Sequence, residues 1–152
     1  MLEILTPLNK VERVSRSIDP ATFIAAPGIW AQVQTDGSLL DVTAGSNALV
    51  NKLVMGSATN NVYESNDIEV GRVTTMESLG VRVKVDTNGY AGTVAFGDLL
   101  VVSSEAASLG KLIHLATASS GTYEYVARCE ESNSVAGYIV FRTISPALVT
   151  KP

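Results

Sequence analysis

The feature that most constrains the fold is a series of short apolar runs separated by turn residues. The clearest run is VRVKV at 81–85, in which valines alternate with basic residues before Asn88-Gly89. A period of two places the valines on one face, as in a half-buried antiparallel strand. Similar β-branched runs recur at intervals of about eight to twelve residues. The pattern predicts an all-β domain, either a small antiparallel β-barrel or a sandwich.

Three other stretches refine this expectation. Asp36-Gly37 joins IWAQVQT to SLLDVT and is a dipeptide that favours a tight hairpin turn. GSNALVNKLVMGS at 45–57 fits either a helical turn or a bulged strand, and the sequence does not choose between them. SSEAASLG at 103–110 predicts the only helix, a short one.

The first 27 residues differ from the rest in containing three of the five prolines. Proline fixes its own φ and lacks an amide hydrogen, so a continuous helix or central strand is disfavoured there. We therefore expect an extended N-terminal arm at 1–27, with short structured pieces, and a β-barrel or sandwich domain at 28–152.

The composition predicts association with other proteins. Apolar residues make up 46% of the chain and charged residues 17%, compared with about 25% charged residues in ordinary soluble domains. A weakly charged surface is poorly protected against association, so part of it is expected to be buried against other chains.

Other partners and locations are disfavoured by the same composition. The net charge of −4 argues against a nucleic-acid partner, which requires a basic face. No apolar run has the length of a membrane span, and MLEILTPLNKVER does not resemble a signal peptide. The single cysteine, Cys129, fits synthesis in a reducing cytoplasm.

Residues that could carry chemistry are few. His114 is the only histidine and is expected to be exposed or at an interface, whereas Cys129 is expected to be a small buried residue. ESNDIE at 64–69 is the best acidic cluster but lacks the pattern of a calcium loop. Gly110-Lys111 lacks the upstream glycine and following hydroxyl of a phosphate-binding loop. We therefore expect no enzymatic activity, no metal and no cofactor.

The run AFGDLLVVSSEAASLGKLIHLATASSGTYEYVARCEE resembles the small capsid decoration, or cement, proteins of tailed bacteriophages. In that family a Gly-Asp-x-Leu strand is followed by a Gly-Lys-Leu or Gly-x-Val strand ending in Ala, and then by a strand carrying Val-Ala. The resemblance covers about the last third of the chain well and implies structural roles for turn glycines, an aspartate bonded to nearby amides, and apolar core residues. The matching positions are Gly97, Asp98, Leu100, Gly110, Lys111, Leu112, Ala116, Val126 and Ala127.

The resemblance implies a structural virion protein made in the bacterial cytoplasm and located on the capsid exterior. Such a protein binds the major capsid protein as a homotrimer at local three-fold positions and stabilises the expanded shell, with several weak interfaces acting together. An N-terminal arm would add contacts to a neighbouring subunit. The candidate contact residues are Leu2, Ile4, Leu5, Phe23, Ile24 and Trp30, although the aromatic and aliphatic members at 23–30 could instead fill the domain's own core. The alternative is a tail, fibre or baseplate β-domain that binds a cell-surface glycan.

Overall fold

The computed structural model describes residues 1–18, 26–40, 51–55, 62–63 and 72–152. These residues form β-strands and short 3-10 turns, and they contain no helix of the length and apolarity needed to cross a membrane. In chain order the strands are β1 (Leu2–Ile4), β2 (Arg13–Ser17), β3 (Trp30–Val33), β4 (Leu39–Leu40), β5 (Asn51–Met55), β6 (Val62–Tyr63), β7 (Arg72–Met76), β8 (Arg82–Asp86), β9 (Leu99–Val102), β10 (Leu112–His114), β11 (Gly121–Asn133) and β12 (Tyr138–Lys151).

The strands form two antiparallel sheets. The larger has seven strands in the order β10-β9-β11-β12-β8-β1-β6, and the smaller has five in the order β2-β7-β5-β3-β4. Across the described residues no strand pairing closes either sheet into a barrel. The predicted all-β fold is confirmed, and of the two predicted architectures the sandwich is the one observed.

The main core lies between the sheets, because the inward faces of both contribute to one apolar cluster. Phe141 of β12 is fully buried, and its ring lies 6.4 Å from that of Trp30 on β3, at an interplanar angle of 45°. This tilted contact joins the larger sheet to the smaller one and adds to the stabilisation from apolar burial.

The local predictions can be compared with these strands. In β8, Val83 and Val85 are buried while Arg82 and Lys84 remain partly exposed, as the alternation predicted. Asp36-Gly37 forms the turn between β3 and β4, and Gly37 has φ +84°. The helical prediction at 103–110 corresponds to a single 3-10 turn at Ala106–Ser108. For the ambiguous stretch 45–57, residues 51–55 form strand β5 and the remainder lies outside the described residues.

Gly97, Gly110 and Asp98 occupy turns, as the resemblance implied. Gly97 has φ +88° and Gly110 has φ +74°, values that residues with a side chain rarely adopt. The Asp98 carboxylate accepts the backbone N–H of Ala95 at 2.8 Å, which closes the turn that precedes β9. Residues 96–116 therefore contain two scaffold strands and their connection.

The N-terminal region differs from the expected extended arm. Strand β1 is paired on both sides within the larger sheet, to β8 and to β6, and strand β2 pairs with β7 in the smaller sheet. Leu2 and Ile4 are buried and Glu3 is partly exposed, which is the alternation of a half-buried strand. Pro7 lies in the connection after β1, where its missing N–H costs no ladder hydrogen bond. Residues 1–18 are therefore part of the sandwich.

Candidate functional site

Three of the six predicted contact residues are buried. Leu2, Ile4 and Trp30 are 0%, 2% and 5% exposed, because each fills the core between the sheets. Leu2 and Ile4 therefore do not form the predicted contact surface, and Trp30 fills the core, as its alternative role predicted, with its indole Nε1 left unpaired. Leu5 is exposed, whereas Phe23 and Ile24 lie outside the described residues.

A cleft opens between the sheets where β12 departs from regular pairing. Ala127 of β11 pairs with Thr143, and Tyr125 pairs with Ala147, so three residues of β12 stand opposite the single residue Val126. This irregularity includes Pro146, which cannot donate to the ladder and is typical of bulges and edges. The resulting cleft is lined by Trp30, Asn51, Lys52, Met76, Glu77, Ser78, Leu79, Val126, Thr143, Ile144 and Pro146.

The floor of the cleft contains polar groups without partners. The indole Nε1 of Trp30 and both side-chain polar atoms of Asn51 are buried and make no hydrogen bond to the described residues. Trp30 pairs with Leu53 and Gln32 pairs with Asn51, so Trp30 and Asn51 are diagonal neighbours on one face of the smaller sheet. Each such orphan group costs about 1–3 kcal/mol, which makes the floor a place where a hydrogen-bonding guest would be stabilised.

A buried carboxyl group lies beside this floor. Glu124 of β11 is almost fully buried and accepts the backbone N–H of Asn51 at 3.0 Å. Burial raises the pKa of the Glu124 carboxyl above its usual value, and the Asn51 backbone N–H, the neighbouring Asn51 amide and Lys52 oppose that rise only in part. The Asn51 amide acts on the carboxyl as a nearby dipole, since its side-chain atoms make no hydrogen bond of normal geometry.

A second carboxylate forms the charged wall of the cleft. Glu77 accepts hydrogen bonds from Arg16 at 2.8 Å and from the Thr75 hydroxyl at 2.9 Å, and it forms an ion pair with Lys52 at 2.9 Å. Burial alone would raise the pKa of Glu77, but these cationic and hydroxyl donors hold it below its usual value. Glu77 is therefore held by two cations and a hydroxyl in a fixed network, and the floor groups remain as unpaired hydrogen-bonding groups.

The dimensions of the cleft restrict its guests. The enclosed part of the cleft has a volume of about 20 Å³. A single buried water needs about 10–15 Å³. The cleft therefore accommodates one or two waters or the end of one side chain, and is too small for a nucleotide or a sugar ring.

The rim of the cleft is apolar and exposed. Leu79 and Leu148 are 57% and 53% exposed. Leu148 pairs directly with Glu124, and opposed residues in a sheet point to the same face, so Leu148 lies on the cleft side of β12. Ser145, Pro146 and Ala147 are exposed between the cleft and Leu148. We call Leu79, Ile144, Pro146 and Leu148 the apolar rim.

The other candidate groups do not converge on the cleft. His114 is partly exposed on β10, and its Nδ1 lies 3.8 Å from the Asp98 carboxylate. Cys129 is buried, as predicted, and burial raises the pKa of its thiol. Within the described ranges no cluster of three or more His, Cys, Asp and Glu side chains could hold a metal ion. The acidic stretch at 64–69 lies outside those ranges.

Sequence reasoning missed the cleft, although one signal for it was present. ISPALV at 144–149 is an apolar run interrupted by Ser145-Pro146. Proline in an otherwise strand-like run indicates a bulge or an edge. The burial of Asn51 beneath it depends on pairing between distant strands, which the sequence pattern does not specify.

Comparison with known proteins gives no relative from which to transfer a function. No family model, curated protein or solved structure matches this chain.

The buried carboxyl group gives a testable pH dependence. The raised pKa of Glu124 means that the folded protein binds this proton more tightly than the unfolded chain does, so its contribution to stability falls as the pH rises through the folded-state pKa. Glu124→Gln retains an acceptor for the Asn51 N–H but carries no charge. We expect it to raise the free energy of unfolding by about 1 kcal/mol at pH 7, with the gain shrinking towards pH 4. Urea denaturation at both pH values measures this, and a variant less stable than the wild type at pH 7 would contradict it.

Proposed function

We propose that this protein is a structural virion protein that binds the outside of a bacteriophage capsid and stabilises the expanded shell, acting as a trimer at local three-fold positions. The resemblance at residues 95–131 to capsid decoration proteins supports this proposal. The observation that carries it furthest is the apolar rim, which lies beside a segment of β12 that has one partner among the described strands. Its partner would be the major capsid protein, and its function would require no catalysis and no cofactor.

The rim has the features of a protein-binding surface. Exposed apolar side chains grouped around a depression mark sites where another chain removes them from water. The low content of charged residues, 17%, lowers the desolvation penalty of burying such a surface. Three copies attached together would hold the shell through several weak contacts, since each contact raises the effective concentration of the others.

The glycan-binding alternative has less support. Clustered, exposed aromatic rings would favour the interpretation that this β-domain binds a sugar. Among the aromatic side chains that the structure describes, Phe96 is strongly exposed, while Trp30, Tyr123 and Phe141 are buried. Tyr123 and Tyr125 pack into the same apolar cluster on one face of β11. Tyr138 carries the Lys84 ammonium over its ring, 4.3 Å from the centroid.

The direct test is binding to expanded phage heads that lack their decoration protein. The purified chain should sediment with these heads to a saturating number of copies, and light scattering should give a mass near three times 16.0 kDa in solution or after release from the heads. Absence of binding to all such heads, together with binding to a glycan array, would favour the alternative.

The apolar rim supplies a sharper prediction. The double variant Leu79→Ser/Leu148→Ser should bind heads at least tenfold more weakly, because about 1.4 kcal/mol or more of apolar contact is lost. The matched control Phe96→Ser/Val135→Ser removes two apolar side chains that are even more exposed, at 80% and 99%, and lie away from the cleft. The control should bind within about threefold of the wild type. Reversal of this order would move the contact surface to the Phe96 and Val135 side.

A further inference from the structure

The orphan groups on the cleft floor define what a guest must supply. Trp30 Nε1 and Asn51 Nδ2 are donors that lack acceptors, and Asn51 Oδ1 is an acceptor that lacks a donor. Both residues are more than nine-tenths buried, so bulk water does not solvate these atoms freely. A guest that satisfies all three must offer two acceptor sites and one donor.

We propose that the cleft is a binding site for a side chain ending in a carboxamide, glutamine or asparagine, carried by an extended segment of a partner protein. The partner is the one named by the proposed function, on which the inference rests. The carboxamide oxygen has two lone pairs for the two donors, and its NH₂ group donates to Asn51 Oδ1.

Other side-chain ends fit the floor less well. A carboxylate has no hydrogen to donate, so Asn51 Oδ1 would stay unsatisfied. An ammonium group has no acceptor, and an apolar end would leave all three atoms unsatisfied. A hydroxyl places its donor and its acceptor on one atom. Trp30 and Asn51 occupy diagonal positions whose backbones are about 7–8 Å apart, so one oxygen atom is poorly placed to reach the polar groups of both.

The position of β12 explains why the guest is an extended segment. Strand β8 pairs with Tyr138 to Arg142 of β12 and no further, while Ala147 to Lys151 pair with β11 on one side. No described strand occupies the other side of that portion, and residues 145–148 are exposed. An added strand would form main-chain hydrogen bonds there, and its alternate side chains would point towards the cleft.

The single tryptophan makes occupancy of the cleft directly observable. The chain contains one Trp, so the ¹⁵N-labelled protein gives one indole N–H signal in its NMR spectrum. The probes are three capped pentapeptides that differ only at the centre: Thr-Val-Gln-Val-Thr, Thr-Val-Leu-Val-Thr and Thr-Val-Glu-Val-Thr. The glutamine peptide should shift the indole signal saturably at millimolar concentration. The other two should bind at least tenfold more weakly.

Variants of Asn51 test whether its side chain causes the selectivity for the glutamine peptide. Asn51→Leu should abolish the preference for the glutamine peptide, and Asn51→Ala should do the same where the larger side chain prevents folding. Equal affinity for the three peptides would overturn the inference, because the cleft floor would not distinguish the end of the side chain. No saturable shift of the indole signal would overturn it as well and leave the cleft as a site for water.

Binding to heads separates this inference from the proposed function. If heads bind the wild type and Asn51→Leu equally and no peptide shifts the indole signal, the decoration function is supported and the carboxamide site is contradicted. If the glutamine peptide binds selectively but the protein does not bind heads, the carboxamide site is supported and the capsid is contradicted as its partner.

Discussion

Phe141→Ala is expected to lower the free energy of unfolding by about 3–5 kcal/mol. Phe141 is fully buried on β12 and contacts the Trp30 ring across the two sheets, so truncation removes apolar burial, leaves a cavity and ends the aromatic contact. Because domains of this size are stable by about 5–15 kcal/mol in total, the loss is a large fraction of the whole. Urea denaturation measures it. Phe96→Ala is the control, since that ring is exposed and its loss should change stability by less than about 0.5 kcal/mol.

A loss below about 1 kcal/mol for Phe141→Ala would contradict the account, because it would mean that the sheets do not depend on this contact. The same result would also remove the basis for Trp30 being held in place at the cleft floor.

Gly110→Ala is expected to destabilise the fold by roughly 3–4 kcal/mol, the sum of two effects. Gly110 has φ +74°, and a Cβ placed on it would lie 2.7 Å from the carbonyl oxygen of Trp30. The Gly110 carbonyl itself accepts the Trp30 N–H at 2.7 Å, so the loop after β9 and the start of β3 are in backbone contact. The substitution must therefore both strain the loop and push β3 away.

Gly80→Ala separates these two effects. Gly80 has φ +73°, almost the same as Gly110, but nothing lies within 4 Å of the Cβ that a substitution would add. It should cost only the conformational strain, about 1–2 kcal/mol. Equal destabilisation by the two substitutions, measured by urea denaturation, would show that the close approach of Gly110 to Trp30 contributes nothing.

Features set by local sequence were predictable. Alternation in β8 follows from a period of two, and the turns at Asp36-Gly37, Gly97 and Gly110 follow from residues that tolerate positive φ. These patterns depend on a few neighbouring residues, which is why they identified an all-β domain without any knowledge of the pairing.

Features set by distant pairing were not predictable. The prolines at the start of the chain indicated an arm, but Leu2–Ile4 gains two strand partners from β6 and β8, and that gain outweighs the local signal. The cleft arises similarly, because its floor comes from β3 and β5 and its rim from β12. The sequence left Trp30 as either a contact residue or a core residue, and only the pairing of β3 with β5 shows that its indole N–H is buried without a partner.

In the proposed function, the cleft and the apolar rim of each copy face the capsid. Electron cryomicroscopy of expanded heads saturated with the wild-type chain tests it most directly. The account predicts density for three copies around local three-fold positions, with Leu148 and Pro146 buried against the major capsid protein and an extended capsid segment beside β12. Copies that attach through the Phe96 and Val135 side, with the cleft open to solvent, would contradict it, as would heads that carry no copies at all.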